Sequence, residues 1–479
     1  MRSITAPVHE GERARVKEGE VRHIVRDAFA SSSDMAPKLE LVDTLQRLGV
    51  GYHFKDEIDG LLRDVHHRDT HQHNQEGVCG DDADELYVTS LRFYLLRKHG
   101  YRVSSDVFVK FRDDHGNFAS GDVNSLLVLY DAAHLRTRGE EVLDSAIAFT
   151  RIRLRSLIDS LEPELAKEVQ CTLDTPRYRR IQRVEARRYM AVYEQKAAAT
   201  RNDTILLEFA KLDYSILQAM YCEELKSLTM WDEQDLELFP AYMKALYTNI
   251  LHNINDIIQE LKLRNNSHAG LVKELLIDIT RCYHAEVKWR DDHYVPAKVE
   301  EHLQLSAPSS ACMHITNLAF ISLGDVATRE DIQWVSSYPK IIRSVCIIAR
   351  ISNDIMSHEV PILSLLHCFL SVNELFPLFY FSSFDEAGTS FRARGSTVQT
   401  CMKEHGFTAE QAREELGALV DGSWMDIVEE CLDARRPMEL LEKVVNLARG
   451  MDHMYKREDA YTFPIGLKDA ITSVLVDSV

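Results

Sequence analysis

Apolar residues recur at helical spacing along almost the whole chain, and little in the sequence interrupts them. Its 479 residues include only 20 Gly and 12 Pro, too few to punctuate a strand-and-turn architecture. Residues 271–287 show the pattern: Val272, Leu275, Leu276, Ile279, Cys282 and Tyr283 share one face, and charged residues fill the other. The same period marks 39–63, 84–99, 121–136, 140–161, 204–226, 240–262, 338–358, 409–433 and 438–456. No alternating run of useful length competes, so the spacing predicts an all-α protein. Caps agree with it: Ser104-Ser105-Asp106 stands before a run at 106–112, and Asp122 before 123–131. Pro176 to Asp203 holds seven arginines and few apolar residues, which marks a junction between two helical domains, 1–202 and 203–479.

Charge and cysteine usage narrow the setting. With 56 Lys+Arg against 75 Asp+Glu the net charge is −19, a field that repels phosphate and argues against nucleic acid or an anionic membrane as partner. An anionic substrate would need a local cation, and a divalent metal on oxygen donors is the usual means. The nine cysteines are never spaced as CxxC, which suits reduced thiols in the cytoplasm. Glu10, Glu12, Arg13, Arg15, Lys17, Glu18 and Glu20 interrupt any leader-like apolar stretch. Val360 to Phe384 is the most apolar window and long enough to cross a bilayer. Pro361, Pro377 and the pair Asn373-Glu374 speak against a span, and for an apolar insertion in the fold.

Four acidic clusters could carry chemistry. Asp81 to Glu85 precedes a helix, where acids complement the N-terminal dipole. Asp232 to Asp235 reads as a cap, and Asp291-Asp292-His293 as a solvated face continuing into Glu300-Glu301-His302. The fourth, Arg350 to Glu359, lies at the end of the helical run 338–358. There Asn353 and Ser357 place an amide oxygen and a hydroxyl on one face, with Asp354 and Arg350 on adjacent turns. Hard oxygen donors of this kind suit magnesium. His66, His67, His71 and His73 read as surface residues of a polar loop.

Several long segments resemble the plant terpene synthases, the sesquiterpene synthases of grasses above all. They include KLELVDTLQRLGVGYHF (38–54), LYVTSLRFYLLRKHGY (86–101), VLYDAAHLRTRGEEVLDSAIAF (128–149), LLEFAKLDYSILQAMYCEEL (206–225), WVSSYPKIIRSVCIIARISNDIMSHE (334–359) and KREDAYTFPIGLKDAITSVLVDSV (456–479). The resemblance implies an N-terminal helical domain and a C-terminal class I domain. The latter would ionise an allylic diphosphate, farnesyl diphosphate for a cytosolic monomer, with magnesium or manganese. It matches Asn353 and Ser357 to metal ligands, with Asp354 beside them. Arg350 matches an arginine on the diphosphate, and Asp459 and Tyr461 a pair at the mouth and wall of the pocket.

Two departures accompany the resemblance. The second metal motif, N/D-D-x-x-S/T-x-x-x-E, ends here on Pro361, which offers no side-chain donor. Glu359, the nearest acid, is rotated about 200° from that direction on a helix. Family-like sequence then lapses from Val360 to about Arg392. Near 226–232 a block carrying the aspartate-rich DDxxD box is missing, since Lys226 to Met230 runs directly into Trp231-Asp232-Glu233-Gln234. The chain as written therefore reads as an impaired or inactive variant with a marginal C-terminal domain.

Overall fold

The computed structural model describes residues 7–31, 34–71, 82–113, 115–118, 122–197, 200–228, 241–292, 294–361, 390–392, 396–433, 435–462 and 464–478. In chain order the first helices are α1 (Pro7–Ser31), α2 (Ala36–Arg47), α3 (Lys55–His71), α4 (Asp82–Lys98), α5 (Val123–Ala133), α6 (Glu141–Leu157), α7 (Pro163–Asp174), α8 (Gln182–Ala197) and α9 (Arg201–Leu228). They continue with α10 (Ala241–Leu263), α11 (Leu271–Asp291), α12 (Val299–Ser306), α13 (Cys312–Ser322), α14 (Arg329–Ser336) and α15 (Lys340–Ser357). Last come α16 (Thr397–His405), α17 (Ala409–Leu432), α18 (Met438–Met454) and α19 (Lys468–Leu475). The strands described are β1 (Glu359–Pro361) and β2 (Ser390–Arg392), a short antiparallel pair, so the fold is all-α as the periodicity predicts.

Two local expectations need correction. The apolar run 39–63 is two helices, separated by a 3-10 turn at Gly51–Phe54. Gly49 turns the chain with φ +80°, and its N–H and that of Val50 donate back to the carbonyls of Gln46 and Leu45, each at 3.1 Å. A periodicity count cannot register such a left-handed stop. Residues 106–112 likewise fall largely in a 3-10 helix, Ser105–Phe111, capped by the Ser104 hydroxyl. The Asp122 cap forms as read, accepting the Ser125 N–H at 2.9 Å.

Contacts divide the chain into two units. One comprises Met1–Glu224, Cys431–Ala434 and Asp469–Val479; the other comprises Leu225–Glu430 and Arg435–Lys468. The junction expected at 202/203 lies in the first turn of α9, whose following turns belong to the first unit. Leu206, Phe209 and Ala210 are buried there, and Phe209 meets the Phe54 ring edge-on at 6.0 Å.

In the first unit α4, α5 and α6 pack in succession through Leu95, Leu96, Leu129, Leu143 and Leu154. A buried charge network ties them to their neighbours. Arg177, in the turn after α7, donates from Nε to Asp131 at 2.6 Å and from Nη1 to Asp43 at 2.9 Å. Its guanidinium lies 4.7 Å from the Tyr94 ring centroid, so one cation joins α2, α4 and α5.

In the second unit α13, α15 and α18 share a core of Phe320, Ile341, Val345, Ile348, Leu441, Val444 and Ala448. A satellite cluster of Val299, Ile351, Val398, Cys401, Ala412 and Leu416 binds α12, α16 and α17 to α15. Here α10 and α11 are less well covered: Ile250, Ile257 and Ile277 stand exposed. Each such side chain left in water forgoes roughly 1.5–3 kcal/mol of burial.

Two substitutions test this description. Arg177→Leu should destabilise the first unit by about 3–5 kcal/mol in urea unfolding, because Asp131 and Asp43 are left buried and uncompensated. A loss below about 1 kcal/mol would mean that the pair is dispensable. Gly49→Ala should cost about 1–2 kcal/mol, since the new Cβ takes a left-handed φ and would lie 2.9 Å from the Ala186 Cβ. Gly60→Ala, mid-helix with open space around it, should instead gain about 0.4–1 kcal/mol.

Candidate functional site

The candidate site is built on α15. Its buried face of Ile341, Ile342, Val345, Ile348 and Ala349 fixes the helix in the core, and this aims Arg350 toward the end of α12. Arg350 Nε donates to the Ser306 carbonyl at 3.0 Å. Its Nη2 lies 3.4 Å from Ser309 Oγ and 3.5 Å from a Glu286 carboxylate oxygen, and its Nη1 3.4 Å from Asp354 Oδ1. Ser306 is the last residue of α12, so its carbonyl has no partner within the helix; a cation there completes the helix end. Burial pushes the Glu286 carboxyl up, against the opposing pull of Arg350.

Asn353 and Ser357 are half-buried one turn apart, and the Ser357 hydroxyl donates back to the Asn353 carbonyl at 2.7 Å. Asp354 is engaged elsewhere. One oxygen takes both the N–H and the hydroxyl of Thr397, at 2.7 and 2.9 Å, and the other faces Arg350. At 5% exposure it anchors the start of α16. His302, whose pKa burial pushes down, lies 3.9 Å away and bonds Thr400 at 2.8 Å.

The end of α15 and the start of α16 are stapled across the apolar insertion. His358 Nδ1 lies 3.1 Å from Ser396 Oγ, and β1 pairs with β2 with Glu359 opposite Arg392 and Pro361 opposite Ser390. The helix closes at Ser357, so Pro361 sits on extended backbone, where a proline after Val360 is comfortable. Residues 359–361 and 390–392 are thus held side by side, and the rest of the apolar run, 362–389, lies outside the described residues.

The C-terminal pair, expected at the mouth and wall of the pocket, lies on the loop after α18. Asp459 is buried and turned inward on its own loop, accepting from the Thr462 N–H at 3.0 Å and hydroxyl at 2.7 Å. Tyr461 is largely exposed. Tyr455 and Tyr283 complete the surroundings. Burial pushes both phenols up, Asp459 bearing further on Tyr455 and Tyr461 on Tyr283, and Arg350 opposes the shift in each. Arg350, Asn353 and Ser357 thus share α15, and Tyr461 and Asp459 approach from the chain that follows α18.

Glu286, Tyr455 and the Ser306–Ser309 segment were not singled out from sequence. Glu286 carried a signal: three residues after Tyr283 it continues the apolar stripe of α11, and an acid in such a stripe needs a partner. The Ser306 contribution is a backbone carbonyl, which no side-chain pattern records. Of the other acidic clusters, Asp232 to Asp235 and His293 lie outside the described residues, as do Asp81 and His73. Asp292 is exposed, and Glu301 is taken up by Tyr294 at 2.6 Å. The ring of His66 lies 5.0 Å from that of Tyr101.

Against magnesium the donor set fits in part. The Asn353 amide and the Ser357 hydroxyl are hard, neutral oxygens on one face. Among the described residues no group of three or more His, Cys, Asp or Glu could hold a metal ion.

Comparison with known proteins accounts for this arrangement. The family profile "Terpene synthase, N-terminal domain" matches residues 3–173, and "Terpene synthase family, metal binding domain" matches 220–362, stopping where the insertion begins. An (E)-beta-caryophyllene synthase of Zea mays is 40% identical, covering 98% of this chain and 91% of the relative. A beta-sesquiphellandrene synthase of Sorghum bicolor is 35% identical, covering 99% and 92%. The first alignment runs over 543 positions, more than the 479 residues of this chain, so the relative holds sequence with no counterpart here. In fold, the isoprene synthase of grey poplar (Populus x canescens), solved with three Mg2+ ions and dimethylallyl-S-thiolodiphosphate, matches with a TM-score of 0.77 at 23% identity, covering 98% of each chain. A limonene synthase with 2-fluorolinalyl diphosphate matches at 0.79 and 20%, covering 100% of this chain and 97% of that one. With both domain profiles matched in order and relatives of this identity along nearly its full length, the chain belongs to the terpene synthase family.

Proposed function

We propose that the chain binds an allylic diphosphate, farnesyl diphosphate first among them, in a magnesium-dependent site of the sesquiterpene synthase type, and that its ionisation and cyclisation are severely impaired. The observation that carries the reading is the placement of Arg350 one turn from Asn353 and two turns from Ser357 on the same helix. A guanidinium offers the planar fork that phosphate oxygens accept, and Arg350 is already fixed by Ser306 and Ser309. Asn353 and Ser357 would hold magnesium, or manganese with the same oxygen preference; when bound, the ion supplies neutralisation of the departing diphosphate. The names of the grass relatives support a fifteen-carbon product class. A cytosolic chain accords with nine cysteines never spaced as CxxC.

Impairment follows from the charge balance. Asn353 and Ser357 are neutral, Pro361 contributes no donor, and the carboxylates of Glu286 and Asp354 lie against Arg350. Ionisation depends on neutralising the leaving group in a dry site, and these residues supply little of that by themselves.

Calorimetric titration of the full chain with inorganic diphosphate in excess magnesium tests the binding half. Arg350→Ala is expected to weaken it at least tenfold, about 1.4 kcal/mol, with Arg350→Lys in between because it keeps the charge without the fork. Equal affinity in all three, with far-UV dichroism unchanged, would remove Arg350 from the site. With farnesyl diphosphate, cyclised hydrocarbons should stay at background. Robust cyclisation by the unaltered chain would overturn the impairment and point to Asp232, Asp235, Asp291 and Asp292 as ligands.

A further inference from the structure

Two cysteines outside the proposed diphosphate chemistry face each other in the second unit. Cys312 opens α13 and Cys346 lies midway along α15, where the two helices pack, and the residues are 1% and 0% exposed. Both are free, and their sulfurs lie within hydrogen-bonding reach of each other. The hydroxyls of Ser310 and Tyr338 and the backbone N–H of Met313 also point at the Cys346 sulfur. Apart from these sulfurs, neither buried hydroxyl has a hydrogen-bond partner among the described residues. Two turns at left-handed φ, Ala311 at 63° and Tyr338 at 58°, bring the group together. We propose that Cys312 and Cys346 are a modification site, which hydrogen peroxide closes to a disulfide that clamps the start of α13 to α15.

The donors decide which sulfur reacts first. Burial pushes the Cys346 thiol up, but hydrogen bonds from Cys312, Ser310, Tyr338 and the Met313 N–H outweigh it and hold the thiol below its ordinary range. Cys312, which donates to Cys346 and is itself buried, is pushed up. Cys346 is therefore the attacking sulfur and Cys312 the resolving one. The Cys346 thiolate takes one peroxide oxygen: an S–O bond forms, the O–O bond breaks, and hydroxide leaves and collects the thiol proton as water. The Cys312 sulfur then attacks the Cys346 sulfur. The S–S bond forms, the S–O bond breaks, and a second water carries off the Cys312 proton. The sum is two thiols and one peroxide giving one disulfide and two waters, with sulfur oxidised and peroxide oxygen reduced. Full burial favours a small oxidant of this kind over a bulky disulfide, because exchange depends on access. The bond falls one turn before Arg350 and three residues after Ser309, so it fixes the segment on which Arg350 rests.

Peptide mapping of the full chain tests this without reference to any substrate. After peroxide, catalase, and alkylation in denaturant, trypsin yields residues 299–329 with Cys312 and 344–350 with Cys346 as their only cysteines. The expected result is that these peptides are joined in most of the chain and part on adding dithiothreitol. Chain oxidised in guanidinium should show no preference for this pair. Cys312→Ser should leave Cys346 as a sulfenic acid that dimedone traps. Hydrogen exchange over 307–313 should slow by about threefold or more in the oxidised protein. Cys312 and Cys346 both alkylated after peroxide treatment of the folded chain, or joined to other cysteines, would overturn the site. Exchange over 307–313 unchanged by the bond would overturn the clamp.

Discussion

The second unit is tied together at one cation, Arg350, whose side chain is 17% exposed. Arg350 closes the end of α12 through the Ser306 carbonyl, reaches α11 through Glu286, and holds Asp354 against the first turn of α16. Removing a guanidinium from water is costly unless every donor finds an acceptor. Here the acceptors come from α11, from the Ser306–Ser309 segment and from the next turn of its own helix, so the residue finds its partners only when those segments are in place. Next to it the chain breaks between α12 and α13, with Ala311 at a left-handed φ of 63° that costs roughly 1–2 kcal/mol. The contacts of Arg350 on the segment before that break help to hold it. A side chain suited to gripping phosphate is thus also a structural tie, and the two roles draw on the same five N–H groups.

The sequence made the helices legible because their apolar stripes are long, and it placed Arg350, Asn353 and Ser357 on one helix because their spacing is helical. At Asp354 it recorded only part of the surroundings. An acid four residues after an arginine and next to an amide ligand looks like a metal donor, but a carboxylate can equally satisfy the first N–H of another helix. The partner that decides this, Thr397, is 43 residues away across the insertion. Gly49 misled in a similar way: a single residue at φ +80° ends a helix whose apolar period continues past it. Where an interaction is local the pattern records it; where the partner is remote, or is a backbone carbonyl such as that of Ser306, it does not.

The insertion and the missing block are not equivalent injuries. Loop-closure entropy grows slowly, by about 0.6 kcal/mol for each doubling of length, so added chain is tolerated if its ends stay together. They do: Asp354 with Thr397, His358 with Ser396, and β1 with β2 hold the exit and return points in register. Absent core helices cannot be offset in that way, because the surfaces they would have covered remain. Apolar residues stand exposed on α10 and α11, and each is a loss proportional to area.

Electrostatics compounds the second injury. A chain of net charge −19 repels an incoming diphosphate at long range, and only a local concentration of positive charge can reverse that. Carboxylates serve this end indirectly, since they recruit divalent ions whose charge exceeds their own. Neutral donors such as Asn353 and Ser357 recruit such ions poorly alone, and an arginine flanked by Glu286 and Asp354 contributes little net charge. On the proposed reading, affinity for diphosphate and the power to ionise it separate in this chain: the geometry at Arg350 would serve the first, whereas the second would require a charge that the described residues do not assemble.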